Sequence, residues 1–247
     1  MDKKFNGFHL KLIAIIGMLI NHMGIVFQWS HNTQTLPLYA ISEFVGKFTF
    51  PIMAYLLVEG FHYSHNKIRY AGRLALFWLI SIYPFFLLRA PDYNFGLTDL
   101  TNNIFFTLLM GLIMLMCYEK TKSPILHFII VVLFAFLTIM SDWNLVGVIL
   151  IWAFYKFNSK KGIRNIILIY FILFEILIGV SIVINGSNLS LALADLIPNL
   201  GFLAVGYLLL NYDGTRGYSP NWIKWGFYIF YPLHLIILEI IKYLFFS

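Results

Sequence analysis

Two histidines and a lysine carry most of the chemistry in this chain. His22 follows Lys11 by eleven residues, inside an apolar run from Leu10 to Trp29. At 100° per residue, eleven steps make three turns and about 20°, so a helix presents both side chains on one face. At 1.5 Å per residue, the imidazole stands roughly 16 Å beyond the ammonium group. His234 lies in a second apolar run, nine residues after Trp225 and so about 13 Å along its helix. Tyr231 precedes it by three residues and shares its face, and Pro232 between them removes a backbone donor. An imidazole in such a place can act as a general base, a nucleophile or a proton relay. A second imidazole and a phenol can hydrogen-bond a developing oxyanion.

Other polar residues interrupt the apolar runs. Asn21 adjoins His22 and can orient an imidazole through its amide. Glu59 stands in Leu57-Val58-Glu59-Gly60, where two roles are open to it: an ion pair with Arg69 or Arg73, or a place in a site. Glu175 is mid-run, able to join a site or to pair with Lys47 or a histidine. Glu239 is five residues from His234, about 140° round a helix, and is not its partner. Asn102, Asn103 and Thr107 open another run, where polar residues are ordinary. Cys117 is the single cysteine, so no internal disulfide forms, and no metal-ligand spacing is present. Gly17 and Gly24, one heptad apart, suit close helix contact.

The elements that must position these groups follow from composition. Of 247 residues, 60% are hydrophobic and 11% charged, and mean hydropathy is +0.81. A soluble domain carries about 25% charged residues, so this chain lacks the polar surface to wrap one. The composition excludes disorder, a collagen repeat and a secreted disulfide scaffold. The expected fold is all-α, a polytopic transmembrane bundle in one domain over residues 1–247.

Crossing about 30 Å of hydrocarbon takes roughly 20 helical residues. Nine spans are predicted, within a range of eight to ten: 10–29, 44–63, 68–89, 103–118, 124–140, 143–157, 163–184, 196–211 and 222–245. Breakers separate them, among them Ala90-Pro91-Asp92, Asn185-Gly186-Ser187-Asn188 and Asp213-Gly214-Thr215-Arg216-Gly217. The net charge of +6 reports orientation rather than nucleic-acid binding. Lys3, Lys4, Lys67, Arg69, Arg73, Lys120, Lys122, Lys156, Lys160, Lys161, Arg164, Arg216 and Lys224 fall on one set of loops. The other set holds Arg89, with Lys242 near the C-terminus. The positive-inside rule then places the N-terminus in the cytoplasm of a cytoplasmic (inner) membrane protein. Trp29 and Trp143 are expected at outer interfaces, and Trp222 and Trp225 at the inner one.

Several segments, in order along nearly the whole chain, resemble the TraX family of membrane acyltransferases. They run from Leu10 through Asn21-His22-Met23-Gly24, Gly46-Lys47-Phe48-Thr49-Phe50-Pro51-Ile52, Leu57-Val58-Glu59-Gly60-Phe61 and Tyr70-Ala71-Gly72-Arg73-Leu74 to Asn103-Ile104-Phe105-Phe106-Thr107-Leu108. Gly214-Thr215-Arg216-Gly217 and Phe227-Tyr228-Ile229-Phe230-Tyr231-Pro232-Leu233-His234-Leu235 complete the set. The resemblance extends to the wider acyltransferase-three group, in which a basic residue and a histidine with ten residues between them mark the first span, as Lys11 and His22 do. Two positions depart from the family pattern: Asn21 stands where Asp is usual, and Lys47 where Arg is usual.

The resemblance implies transfer of an acetyl or other acyl group from cytoplasmic acyl-CoA to an acceptor at the envelope, either a pilin or peptide amine or an exported glycan. No metal is expected. On that reading Lys11, Arg69, Arg73, Arg216 and Lys224 face the CoA phosphates. His22 is a base or is transiently acylated, His234 and Tyr231 hold the thioester carbonyl or its oxyanion, and Glu59 and Asn21 orient these groups. The competing class is a transporter or flippase with an intramembrane His/Glu relay and no acyl chemistry.

Overall fold

The computed structural model of the chain describes residues 4–31, 33–89, 93–186 and 188–246. Lys3, the Ala90-Pro91-Asp92 breaker and Ser187 lie outside the described residues. Within them the chain is a polytopic bundle of eleven α-helices: α1 (Gly7–Val26), α2 (Leu36–Gly46), α3 (Thr49–Tyr63), α4 (Lys67–Arg89), α5 (Ile104–Tyr118), α6 (Pro124–Leu137), α7 (Asn144–Lys156), α8 (Lys160–Asn185), α9 (Leu189–Leu196), α10 (Leu200–Leu210) and α11 (Asn221–Phe246). Six stretches are long and apolar enough to cross a membrane; α5, α6 and α7 are shorter apolar helices.

Two predicted spans are larger than expected, and both are broken. The span predicted at 44–63 begins at Leu36 and tightens by one turn at Lys47, where the Phe48 N–H donates to the Val45 carbonyl. The span predicted at 196–211 begins at Leu189 and passes through a short 3₁₀ turn, Ile197–Asn199. Irregular backbone is tolerated at membrane depth only inside protein. Accordingly half of an apolar 18-residue window in each of these two segments is buried, against 17% of such a window in the long, lipid-facing α8. The two breaks pack together, and a Cβ on Gly201 of α10 would meet the Phe44 carbonyl and Lys47.

The first helix is held against α2 by the two expected glycines. A Cβ on Gly17 would strike the Val45 carbonyl, and one on Gly24 the Ser42 hydroxyl. Asn103, fully buried, caps α5 by accepting from the Phe105 N–H at 3.1 Å. Its amide donates to the Trp78 carbonyl at 3.3 Å. Thr107 bonds Ser141 at 2.6 Å. These polar residues serve packing. Trp143 departs from its expected interfacial place: its ring stacks on buried Phe50 at 4.7 Å, so it faces the bundle.

Contacts at the loops agree with nine passes. Lys67 pairs with Glu119, which also accepts from the Tyr155 hydroxyl, joining three turns on the face that carries the N-terminus. Arg89 pairs with Asp142 at 2.9 Å on the opposite face.

Candidate active site

Helices α1 and α11 bring the two histidines together. His22 and His234 are 6% and 4% exposed. Their rings are 3° from parallel, and His22 Nδ1 lies 2.7 Å from His234 Nε2. His234 Nδ1 lies 2.8 Å from the Phe230 carbonyl. That carbonyl can only accept, so Nδ1 of His234 carries the hydrogen and donates it. In a neutral ring, Nε2 of His234 is then a lone pair. It accepts from Nδ1–H of His22, and Nε2 of His22 is left as the second lone pair. No described residue hydrogen-bonds that nitrogen. The backbone carbonyl of Phe230 thus sets both tautomers through one chain of donors.

α11 runs through Pro232 without ending, and the local sequence provides the rest. Tyr231 packs on the pair, its ring centroid 6.3 Å from His22 and 5.7 Å from His234. Its hydroxyl is buried without a well-formed hydrogen bond.

Two cavities meet at Tyr231 beside this pair, and His22 lines the smaller of them. One, of about 460 Å³, is lined by Lys11, Glu59, Arg69, Arg73, Arg216, Lys224 and Tyr231, among others. All five cations expected at a single mouth are therefore on one wall system, opposed there, among the described residues, by one carboxylate, Glu59. Glu59 forms no ion pair with Arg69 or Arg73 among the described residues. We call this the basic cavity. Its loop residues, including Asn66, Gly214 and Ser219, belong to the face that carries the N-terminus. The Gly214–Gly217 segment shapes that wall. Gly7 N–H donates to the Thr215 carbonyl at 2.8 Å, and Asp213 N–H donates to the Phe5 carbonyl at 2.8 Å. Gly217 has φ of +66° and packs on Asn6, a position where any larger residue is both strained and crowded. This clasp sets Arg216 beside the start of α1.

The second cavity, about 220 Å³, is lined by Asn21, His22, Glu43, Lys47, Arg89, Asp142, Trp143 and Tyr231, among others. Two ion pairs stand in its wall: Lys47–Glu43 at 3.2 Å and Arg89–Asp142 at 2.9 Å. Burial pushes the Asp142 carboxyl above the usual carboxylate range, and the adjacent Arg89 pulls it back only in part. We call this the ion-pair cavity.

Two sequence-based expectations, the roles of Asn21 and His234, need correction. Asn21 does not hold an imidazole; its amide donates to Glu43 Oε1 at 2.7 Å and so braces α1 on α2. Lys47 pairs with Glu43 one turn away and lies over the Phe174 ring, and Glu175 forms no ion pair with it among the described residues. His234 has both ring nitrogens engaged, which leaves it no N–H for an oxyanion. Glu43, Arg89 and Asp142 were not anticipated at the site. The first was signalled by its i,i+4 spacing to Lys47; the other two join across 53 positions, which no local pattern encodes.

The family model described as TraX protein matches residues 6–242. This chain belongs to the TraX family. Its motif segments line the two cavities and the histidine pair just described. Among curated proteins, this TraX chain is similar to the probable fimbrial assembly protein FimC, serogroup H1, of Dichelobacter nodosus. The two are 28% identical over 246 residues, covering 95% of this chain and 94% of that one. No solved structure matches the chain.

Proposed function

We propose that this TraX-family protein is an acyl-CoA-dependent acyltransferase of the cytoplasmic membrane, with acetyl-CoA as the preferred donor. The observation that carries the reading is the His22–His234 pair: a base with a fixed tautomer on a mixed-charge cavity, separated from a strongly cationic one by side chains that include Tyr231. The N-terminal face is cytoplasmic on the charge asymmetry of the loops. Acyl-CoA docks from there, its phosphates among Lys11, Arg69, Arg73, Arg216 and Lys224, where guanidinium groups suit phosphate. The acceptor enters the ion-pair cavity from the other face.

The chemistry needs one proton and one bond exchange. Nε2 of His22 takes the proton from the acceptor amine or hydroxyl as that atom attacks the thioester carbonyl. The C–S bond breaks, and the imidazolium returns the proton to the departing CoA thiolate. While His22 is charged, its Nδ1–H donates to His234 Nε2, and His234 donates to Phe230, so positive charge is stabilised along the chain of donors. The same Nε2 serves an acyl-histidine route, which differs by forming a labelled enzyme before acceptor is added. A fimbrial assembly role in the relative favours a pilin subunit as acceptor.

The test is transfer from radiolabelled acetyl-CoA by purified protein in proteoliposomes, with His22→Ala as control. Label moving to envelope acceptor in the wild type and not in the variant supports the reading. Solute uptake without any turnover of acyl-CoA would instead assign a transporter.

A further inference from the structure

The two cavities do not share His22. It lines only the ion-pair cavity, whereas all five cations line only the basic one. Three side chains line both: Met18, Ile104 and Tyr231. They are 5%, 4% and 2% exposed, and these three buried side chains stand between the two cavities. Met18 lies seven residues beyond Lys11 and four before His22, in the middle of the face that connects them. Any acyl group delivered from the basic cavity must pass this wall.

Its three members differ in mobility. Ile104 opens α5 directly after the capped, fully buried Asn103. Tyr231 is framed by Phe105 edge-on at 5.1 Å and Phe85 at 6.5 Å, and Phe105 in turn stacks with Tyr228 at 6.0 Å. An aromatic frame of this kind is rigid, whereas methionine is unbranched and adapts its shape. Met18 is the member that can move.

We propose that Met18, working against the fixed Ile104 and Tyr231, selects the length of the acyl group and restricts the donor to short-chain acyl-CoA. This rests on the acyltransferase reading. An acetyl group reaches His22 when the methionine shifts by about the width of a methyl. Each added methylene must be carried through the wall into a cavity of about 220 Å³ that also holds the acceptor. Size discrimination of this kind is worth about tenfold or more per methylene.

The test compares acetyl-, butyryl- and octanoyl-CoA as donors in proteoliposomes carrying wild type, Met18→Ala, Ile104→Ala or Met18→Phe. We expect Met18→Ala and Ile104→Ala to raise the octanoyl-to-acetyl ratio of kcat/KM by at least about tenfold. Met18→Phe is expected to depress transfer from every donor while CoA binding is kept. A second measurement needs no transfer. In a Cys117→Ser background, Glu43→Cys places a thiol on the ion-pair cavity. Its labelling by a linear alkyl maleimide offered from the basic-cavity side is expected to rise about tenfold with Met18→Ala. A donor ratio unchanged in both alanine variants overturns the proposal, as does faster labelling without a change in that ratio. If the wild type turns over no acyl-CoA, the acyltransferase reading falls, and unchanged labelling then removes the partition as well.

Discussion

His234 donates through Nδ1 to the Phe230 carbonyl and receives through Nε2 from His22, at 2.8 and 2.7 Å. One backbone carbonyl therefore determines which nitrogen of His22, on another helix, carries the lone pair. On the proposed acyltransferase reading His234 is a positioning residue and His22 the reacting one, a division of labour that two mid-membrane histidines alone do not specify.

His22→Ala is expected to lower transfer by about 10²–10⁴-fold, the range of a lost general base. His234→Ala should lower it by about 10²-fold, because His22 loses its fixed tautomer. His234→Gln, whose side-chain oxygen can accept from His22 Nδ1–H, should recover part of the loss. The double alanine variant should be little worse than His22→Ala, since residues acting as a unit are not additive. Steady-state transfer with folded protein, verified by size exclusion, checks each point. Multiplicative losses would separate the two residues.

The five cations give a binding prediction. Single substitutions Lys11→Ala, Arg73→Ala and Arg216→Ala should each weaken CoA binding by about fivefold, near 1 kcal/mol for a partly exposed charge pair. Raised salt should weaken binding by the wild type and do so less in the variants. Isothermal titration with CoA, and with dephospho-CoA as comparison, measures both. Binding indifferent to salt would remove the phosphates from this cavity.

Orientation is testable by single cysteines in the Cys117→Ser background. Impermeant maleimide should reach Arg69→Cys and Lys161→Cys from the cytoplasm and Asn188→Cys from the other side. All three residues lie in or beside loops. Cytoplasmic labelling of position 188 would overturn the nine-pass arrangement.

Asp142 supplies a pH prediction. Its folded-state pKa is raised by burial, so the folded protein holds that proton more tightly than the unfolded chain. The stabilisation is present at acid pH and is lost as pH rises through the raised value. Asp142→Asn holds the side chain neutral throughout. Its melting temperature in detergent should therefore vary less with pH across the acid range than that of the wild type. Parallel curves would exclude Asp142 as the responsible group.

The sequence makes the span set, the grouping of the five cations and the His22–His234 level legible, because depth follows from counting residues along helices. The breaks near Lys47 and Asn199 are less legible. Apolar runs continue through them, and only packing between the two broken segments makes the irregular turns affordable. The partner of Asn21 is hard to read for a related reason: adjacency in sequence puts it about 100° round the helix from His22, facing α2 and Glu43. Met18 gives no signal at all in a helix of apolar neighbours, since its significance is that it lines two cavities at once.

The clasp between Phe5–Gly7 and the Asp213–Gly217 loop has a bearing on biogenesis. It fastens the first helix to the segment that leads into α11, and the paired imidazoles come from those same two helices. Ribosomal synthesis delivers them at opposite times. The first waits in the bilayer with Nδ1 unmated while the intervening helices are inserted. The imidazole pair is therefore complete only with the final insertion event, and on the acyltransferase reading a nascent or prematurely terminated chain lacking α11 is chemically silent toward acyl donors.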